Sequence, residues 1–190
     1  MLREIDAADV KALLLRPYLF GECVDLPNFS IRGALEITDA NIGGVDLTGC
    51  VFKDPVDFSN SVFQGLAWFK NVEFCGSVNC HRVQFSSDAR FDKAEFHHGA
   101  RFSNAAFCGI GCFDGVVAHK PVSMEESIAY GNLSLPNCDF QGAMLLKNAT
   151  LMGGLWMPGT RVGQLHNMDT CTVLGRVEQG SSTRIENSCE

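Results

Sequence analysis

The sequence predicts an all-β fold, a solenoid of very short strands in which each strand pairs with its equivalent one coil further on, and three observations carry that expectation. Large apolar side chains recur at Phe52, Phe58, Phe63, Phe69, Phe74, Cys80, Phe85, Phe91, Phe96, Phe102, Phe107 and Phe113, with gaps that alternate six and five, so the period is eleven. Two residues before each stands a small or β-branched partner: Cys50, Val56, Ser61, Ala67, Val72, Val78, Val83, Ala89, Ala94, Ala100, Ala105 and Gly111. Eleven residues is also the repeat of a right-handed coiled coil, but at about 100° per residue these positions scatter around a helix and make no stripe. Positions two apart share a face only in extended chain. Strands this short are too short for a stable antiparallel meander, whereas stacked coils bury them together.

The N-terminal element reads as a short helix. Asp6 stands at the N-cap with Asp9 three residues on, Ile5 and Val10 are placed as a hydrophobic staple, and Pro17 ends the segment. Its apolar face is Val10, Leu13 and Leu14. A solenoid exposes its core at each end, so residues 1–23 are assigned as a capping helix and lead-in across the first coil. Repeats begin at Val24-Asp25-Leu26, continue through Ile31 and Ile37, and become regular at Ile42.

After Phe113 the register is carried by Ala118, Met124, Ala129, Leu135, Phe140, Leu145, Leu151, Met157, Val162, Met168 and Val173. Residues 116–136 are the least regular, with two prolines and two alanines at inward places, and a loop, bulge or narrower coil is expected there. The repeat region thus spans 24–174, and residues 175–190, polar and Ser-rich, are expected to be a disordered tail.

The residues resemble the pentapeptide-repeat family, whose motif is a small residue, Asp or Asn, Leu or Phe, then two variable residues. Ala40-Asn41-Ile42-Gly43-Gly44 followed by Val45-Asp46-Leu47-Thr48-Gly49 carries the likeness best, and it extends over residues 24–173. The resemblance implies a right-handed parallel β-helix, a four-sided solenoid with four repeats per coil, with the short N-terminal capping helix added. The departure from the motif is one extra residue in every second repeat. Two eleven-residue units then make one coil of 22 and stack four inward columns: Phe52, Phe74 and Phe96; Phe58, Cys80, Phe102 and Met124; Phe63, Phe85 and Phe107; and Phe69, Phe91, Phe113 and Leu135.

Composition narrows the function classes. A chain of 190 residues with no apolar run near the roughly 18 residues of a membrane span reads as one soluble domain, and without a signal-peptide layout the cytoplasm is the expected location. A net charge of −7 argues against non-specific nucleic-acid binding, which needs a basic face. Nine cysteines invite a disulfide or zinc reading. Cys50, Cys80, Cys138 and Cys171 fall on inward positions, however, and Cys23, Cys75, Cys108, Cys112 and Cys189 show no zinc-ribbon pairing, so reduced thiols are expected.

Function is left to the outward residues beside each central one. One column places Cys75, His97 and His119 in line with Glu73 and Glu95 beside them. Thiolate and imidazole suit zinc or copper, but ligands in a straight row at about 4.8 Å do not converge on one ion. No metal site, cofactor or catalytic residue is therefore assigned, and Cys75, His97 and His119 stand as the candidate metal set. Another column aligns Trp68, Arg90, Cys112, Ser134 and Trp156. Trp and Arg are enriched at binding hot spots, so Trp68, Arg90 and Trp156 are the candidate partner face, with a Trp68–Arg90 cation–π contact as the purely structural account.

Three functional readings follow. The first is a non-catalytic, rigid interaction module for a protein partner of unknown identity. The second, implied by the resemblance, is a DNA-mimicking protein that occupies a type II topoisomerase, as quinolone-resistance members of that family do; against it, residues 31–173 hold 14 acidic and 10 basic side chains, a difference of only −4. The third is a metal-binding surface site. The apolar core left open at the C-terminal coils adds the expectation of a two-fold homodimer joined there.

Overall fold

The computed structural model describes residues 2–166, 168–179 and 184–185. Its strands are mostly two residues long and all pair in parallel, in sheets of 14, 8 and 7 strands. The chain is a parallel β-solenoid with one short helix at its N-terminal end, as the period requires. From Val45 to the irregularity after Phe140 each strand sits over its equivalent 22 residues later, as in Phe74 with Phe96 and Trp68 with Arg90, whereas the first coil pairs at a step of 21, as in Leu35 with Val56.

Three sheets make four faces. Face I holds Val51–Phe52, Glu73–Phe74, Glu95–Phe96 and Val117–Ala118; face II holds Val56–Asp57, Val78–Asn79, Ala100–Arg101 and Val122–Ser123. The two are joined in one sheet because the long strand Asp139–Leu145 runs round the corner, pairing with Val117–Ala118 at one end and Val122–Ser123 at the other. Face III runs from Asn41–Ile42 to Thr172–Val173, and face IV from Cys23–Asp25 to Arg176–Glu178.

The alternation of five and six has a backbone cause. Each five-residue gap turns its corner through a left-handed residue two places after the central side chain: Asn60, Asn71, Arg82, Lys93, Asn104, Gly115, Glu126, Asn137 and Asn148 have φ between 52° and 68°. Asn and Gly accept this conformation readily, whereas another residue gives up roughly 1–2 kcal/mol. Lys93 is held in it by the coil ladder, its N–H donating to Asp114 O at 2.7 Å. At the corner between faces III and IV, Gly131 and Gly153 stack because a Cβ on either would strike the coil before it, at 2.5 Å from Gly109 O and 2.3 Å from the Gly131 carbonyl carbon.

The core is the set of inward columns. Ring centroids in the pairs Phe52–Phe74, Phe74–Phe96, Phe63–Phe85, Phe85–Phe107, Phe69–Phe91 and Phe91–Phe113 lie 4.9 to 5.2 Å apart, with planes within 7 to 20°. Strand spacing imposes that separation, and neighbouring columns meet edge to face, as Phe58 does with Phe63. Small polar inward residues survive because their side chains donate to backbone carbonyls, of the preceding coil for Ser61 Oγ to Ile37 O at 3.0 Å and for Cys50 Sγ to Leu26 O and Cys138 Sγ to Phe113 O, both at 2.9 Å, and of the same coil for Ser127 Oγ to Met124 O at 2.7 Å.

Several expectations are corrected. Residues 3–6 are a strand that pairs with Phe29–Arg32, ahead of the helix Ala7–Leu14. Asp6 occupies the N-cap position but makes no side-chain cap bond; it ends that strand, 4.0 Å from the Arg32 guanidinium. The helix buries Ala7, Val10 and Leu14 and packs against Leu35–Glu36. Leu146, not Leu145, is the inward residue after Phe140, since the gap there is six. Residues 116–136 coil without interruption, and the irregularity falls at Phe140–Ala143 instead. The tail is not wholly unstructured: Arg176–Glu178 pairs with Gly154–Trp156 and Arg184–Ile185 with Arg161–Val162, because the backbone ladder continues where the apolar repeat fades. Residues 180–183 and 186–190, Cys189 among them, lie outside the described residues.

Candidate functional site

Face IV brings the partner candidates into one column. Trp68, Arg90, Cys112, Ser134 and Trp156 pair in succession along its strands. The order of sizes matters: two large side chains, two small ones, then Trp156. Between Arg90 and Trp156 the small rungs leave a cavity of about 300 Å³, lined by Asp88, Arg90, Ile110, Cys112, Asn132, Ser134 and Trp156.

The contacts inside the column differ from expectation. Trp68 lies under Lys70, with Nζ 4.1 Å from the ring centroid, and does not stack on Arg90. Arg90 is drawn the other way, donating from Nε and Nη2 to the two oxygens of Asp92 at 3.1 and 2.9 Å. Cys112 is buried despite its outward position, because Asp92 lies 3.3 Å from its Sγ and Arg90 Nη2 lies 3.9 Å from it. Burial, and then Asp92, push the Cys112 thiol up to about 12. The indole Nε1 of Trp68 is buried without a hydrogen-bond partner among the described residues.

Sequence reasoning missed the apolar corner beside this cavity. Ile110, Ile128, Tyr130, Met152 and Leu174 are all at least 36% exposed. Tyr130, Met152 and Leu174 follow the central residues of face III at a constant step of 22, so the period that aligns the tryptophans would have revealed them. No outward position of face III, from Asn41 and Gly43 to Thr172 and Leu174, carries a charge.

Face I holds the metal candidates in a different arrangement. His97 Nε2 lies 3.1 Å from Glu73 Oε1 and 3.6 Å from Glu95 Oε1, and His119 Nε2 lies 2.8 Å from the same Glu95 oxygen. The two imidazoles stack, 5.2 Å apart. His119 Nδ1 faces Gln141 Oε1 at 3.0 Å, and hydrogen bonds to Glu95, then Gln141, raise its pKa. Cys75 stands to one side, its Sγ donating to Glu73 Oε1 at 3.5 Å, and it is not part of the compact group. The side chains converge because carboxylates lean along the solenoid axis to the next coil.

The family model described as pentapeptide repeats matches the chain in nine copies, with residues 37–84 and 47–95 matched. No curated protein matches the chain. Among solved structures, a trypsin-treated form of QnrB1, described as a plasmid-mediated fluoroquinolone resistance protein, matches 98% of this chain and 92% of its own at 13% identity and a TM-score of 0.26. A superposition that loose carries no argument about activity or partner. The eleven-residue strand period repeated coil after coil agrees with the matched copies, and over residues 37–95 the chain is built of pentapeptide repeats.

Proposed function

We propose that the chain is a non-catalytic, rigid protein-interaction module that docks a protein partner along the corner between faces III and IV. The observation that carries this reading is the dent between Arg90 and Trp156, bordered by exposed Ile110. It spans three rungs, roughly 14 Å at the strand spacing, enough for one or two side chains of a partner. Face III next to it is uncharged and Arg90 is already paired with Asp92, so the complementary surface is apolar and uncharged polar. Trp68 forms the far wall of the same column, and the Ser134 hydroxyl within it donates to Asp114 Oδ1 at 2.8 Å.

A second copy is one partner of that chemistry. Leu174 and Val177, 67% and 45% exposed, lie on the C-terminal coils of the same corner, where a two-fold dimer would cover them. The topoisomerase-directed alternative needs a carboxylate stripe. Asp25–Asp46, Glu36–Asp57, Glu73–Glu95 and Asp92–Asp114 are runs of two, and no described outward column holds a longer one.

Affinity capture from the native cell with the unaltered chain and with Trp156→Ala, Ile110→Asp and a face II control, Arg101→Ala, tests the reading. A protein retained by the unaltered chain and the control but lost with either corner variant, at unchanged melting temperature, is expected. Capture indifferent to the corner substitutions would return Trp68, Arg90 and Trp156 to a purely structural role.

A further inference from the structure

We propose that face I carries a binding site for a divalent transition metal of the zinc class, formed by Glu95, His97 and His119 with Glu73 completing it. This site lies on another face and stands independently of the docking reading. A straight row of ligands does not reach one ion, but here the side chains close the row. The ligand atoms of Glu95, His97 and His119 all lie within 4.8 Å of one another. Four tetrahedral ligands at about 2.0–2.1 Å from zinc sit about 3.3 Å apart. The contacts already made are 2.8 Å from Glu95 to His119, 3.6 Å from Glu95 to His97 and 3.1 Å from Glu73 to His97, on either side of that separation.

The outer contacts fit the same chemistry. A metal-binding imidazole keeps its proton on the nitrogen away from the ion and gives that proton to an oxygen acceptor. Gln141 Oε1, 3.0 Å from His119 Nδ1, is such an acceptor, and its orientation is set by the Gln141 Nε2 donation to Asp139 Oδ2 at 3.5 Å. Nδ1–H held this way frees the His119 Nε2 lone pair for the ion once zinc replaces the proton that Nε2 shares with Glu95 Oε1 at 2.8 Å. Two imidazoles and two carboxylates suit zinc over calcium or magnesium, which take oxygen ligands alone. Side-chain exposures of 32 to 43% leave the four groups open to an ion from solvent.

The other cluster of ligand types, Asp92, Cys112 and Asp114, does not qualify. Arg90 already neutralises Asp92, holding it at 2.9 Å.

Zinc titration of the full, reduced chain by calorimetry, at a pH above the ordinary imidazole value of about 6.5, tests the site, with far-UV circular dichroism confirming the fold of each variant. One zinc equivalent should disappear in His97→Ala and in His119→Ala, weaken about 10–100-fold in Gln141→Ala, and persist in Cys75→Ser. A chain that binds no zinc at micromolar concentration, zinc retained in full by both histidine variants, or a loss confined to Cys75→Ser would overturn the assignment.

Discussion

Phe91 shows what one inward side chain contributes. Its ring lies between Phe69 and Phe113, at 5.0 and 4.9 Å, and meets Phe102 edge-on at 5.3 Å. Each neighbour is fixed by its own backbone ladder, so a hole at this position cannot close by lateral collapse. Phe91→Ala is expected to cost about 3–5 kcal/mol in urea unfolding. Asp88, three residues away, accepts one hydrogen bond from the Ile110 N–H at 2.9 Å on an exposed corner, and Asp88→Ala should cost about 1 kcal/mol or less. Similar losses at the two positions would contradict the inward register. The comparison isolates stacking from ladder bonding, because neither substitution removes a backbone group.

The corner that follows the face IV strand Ala89–Arg90 is an element held by charge as well as by shape. Burial acts to raise the Asp92 pKa, but the hydrogen bonds from Arg90 and Cys112 outweigh it and hold the carboxyl below its ordinary 3.8. Asp57 on face II is shifted the same way, against burial, by Ser59 and Asn79. A carboxyl depressed in the folded state contributes stability that is present above its unfolded value, about 3.8, and is lost as pH falls through the lower folded value. Melting temperature should therefore drop as acid is added below about pH 4, and Asp92→Asn should flatten that part of the curve while lowering stability at neutral pH. An unchanged acid limb in Asp92→Asn would show that the Arg90–Asp92 fork contributes nothing to the corner.

As a whole, the molecule is a stack in which each coil touches only its neighbours, so its two ends are its weak points. The N-terminal end is covered twice, by the strand Arg3–Asp6 and by the helix Ala7–Leu14. On the C-terminal coils, Leu174 and Val177 remain exposed beside Met152 and Trp156. Light scattering at micromolar concentration is expected to give a dimer mass that falls to the monomer mass in the double substitution Leu174→Asp, Val177→Asp. A monomer mass for the unaltered chain would exclude self-association there and leave the corner to a different protein.

The period was legible because it is a property of neighbouring residues along the chain. Phe and its small partner two places earlier declare extended backbone, and a constant step of 22 declares which residues stack, so the columns Phe69–Phe91–Phe113 and Trp68–Arg90–Cys112–Ser134–Trp156 follow from counting alone. The left-handed corners at Asn60, Asn71 and Asn104 were equally readable, as an Asn recurring two places after alternate Phe. Other features depend on contacts between coils, which a linear pattern does not encode. The regular coiling of residues 116–136 rests on backbone bonds that ignore the size of Ala118 and Ala129, and the strand Arg3–Asp6 exists because Phe29–Arg32 offers it an open edge. The candidate sites depend on which way side chains lean once stacked: Trp68 meets Lys70 rather than Arg90, Glu95 reaches forward to His119, and Cys75 is left outside the group it was counted in. Stacking order is set by covalent spacing, which the chain carries within itself, whereas side-chain convergence is set by packing and charge across coils, which exist only after the chain has wound.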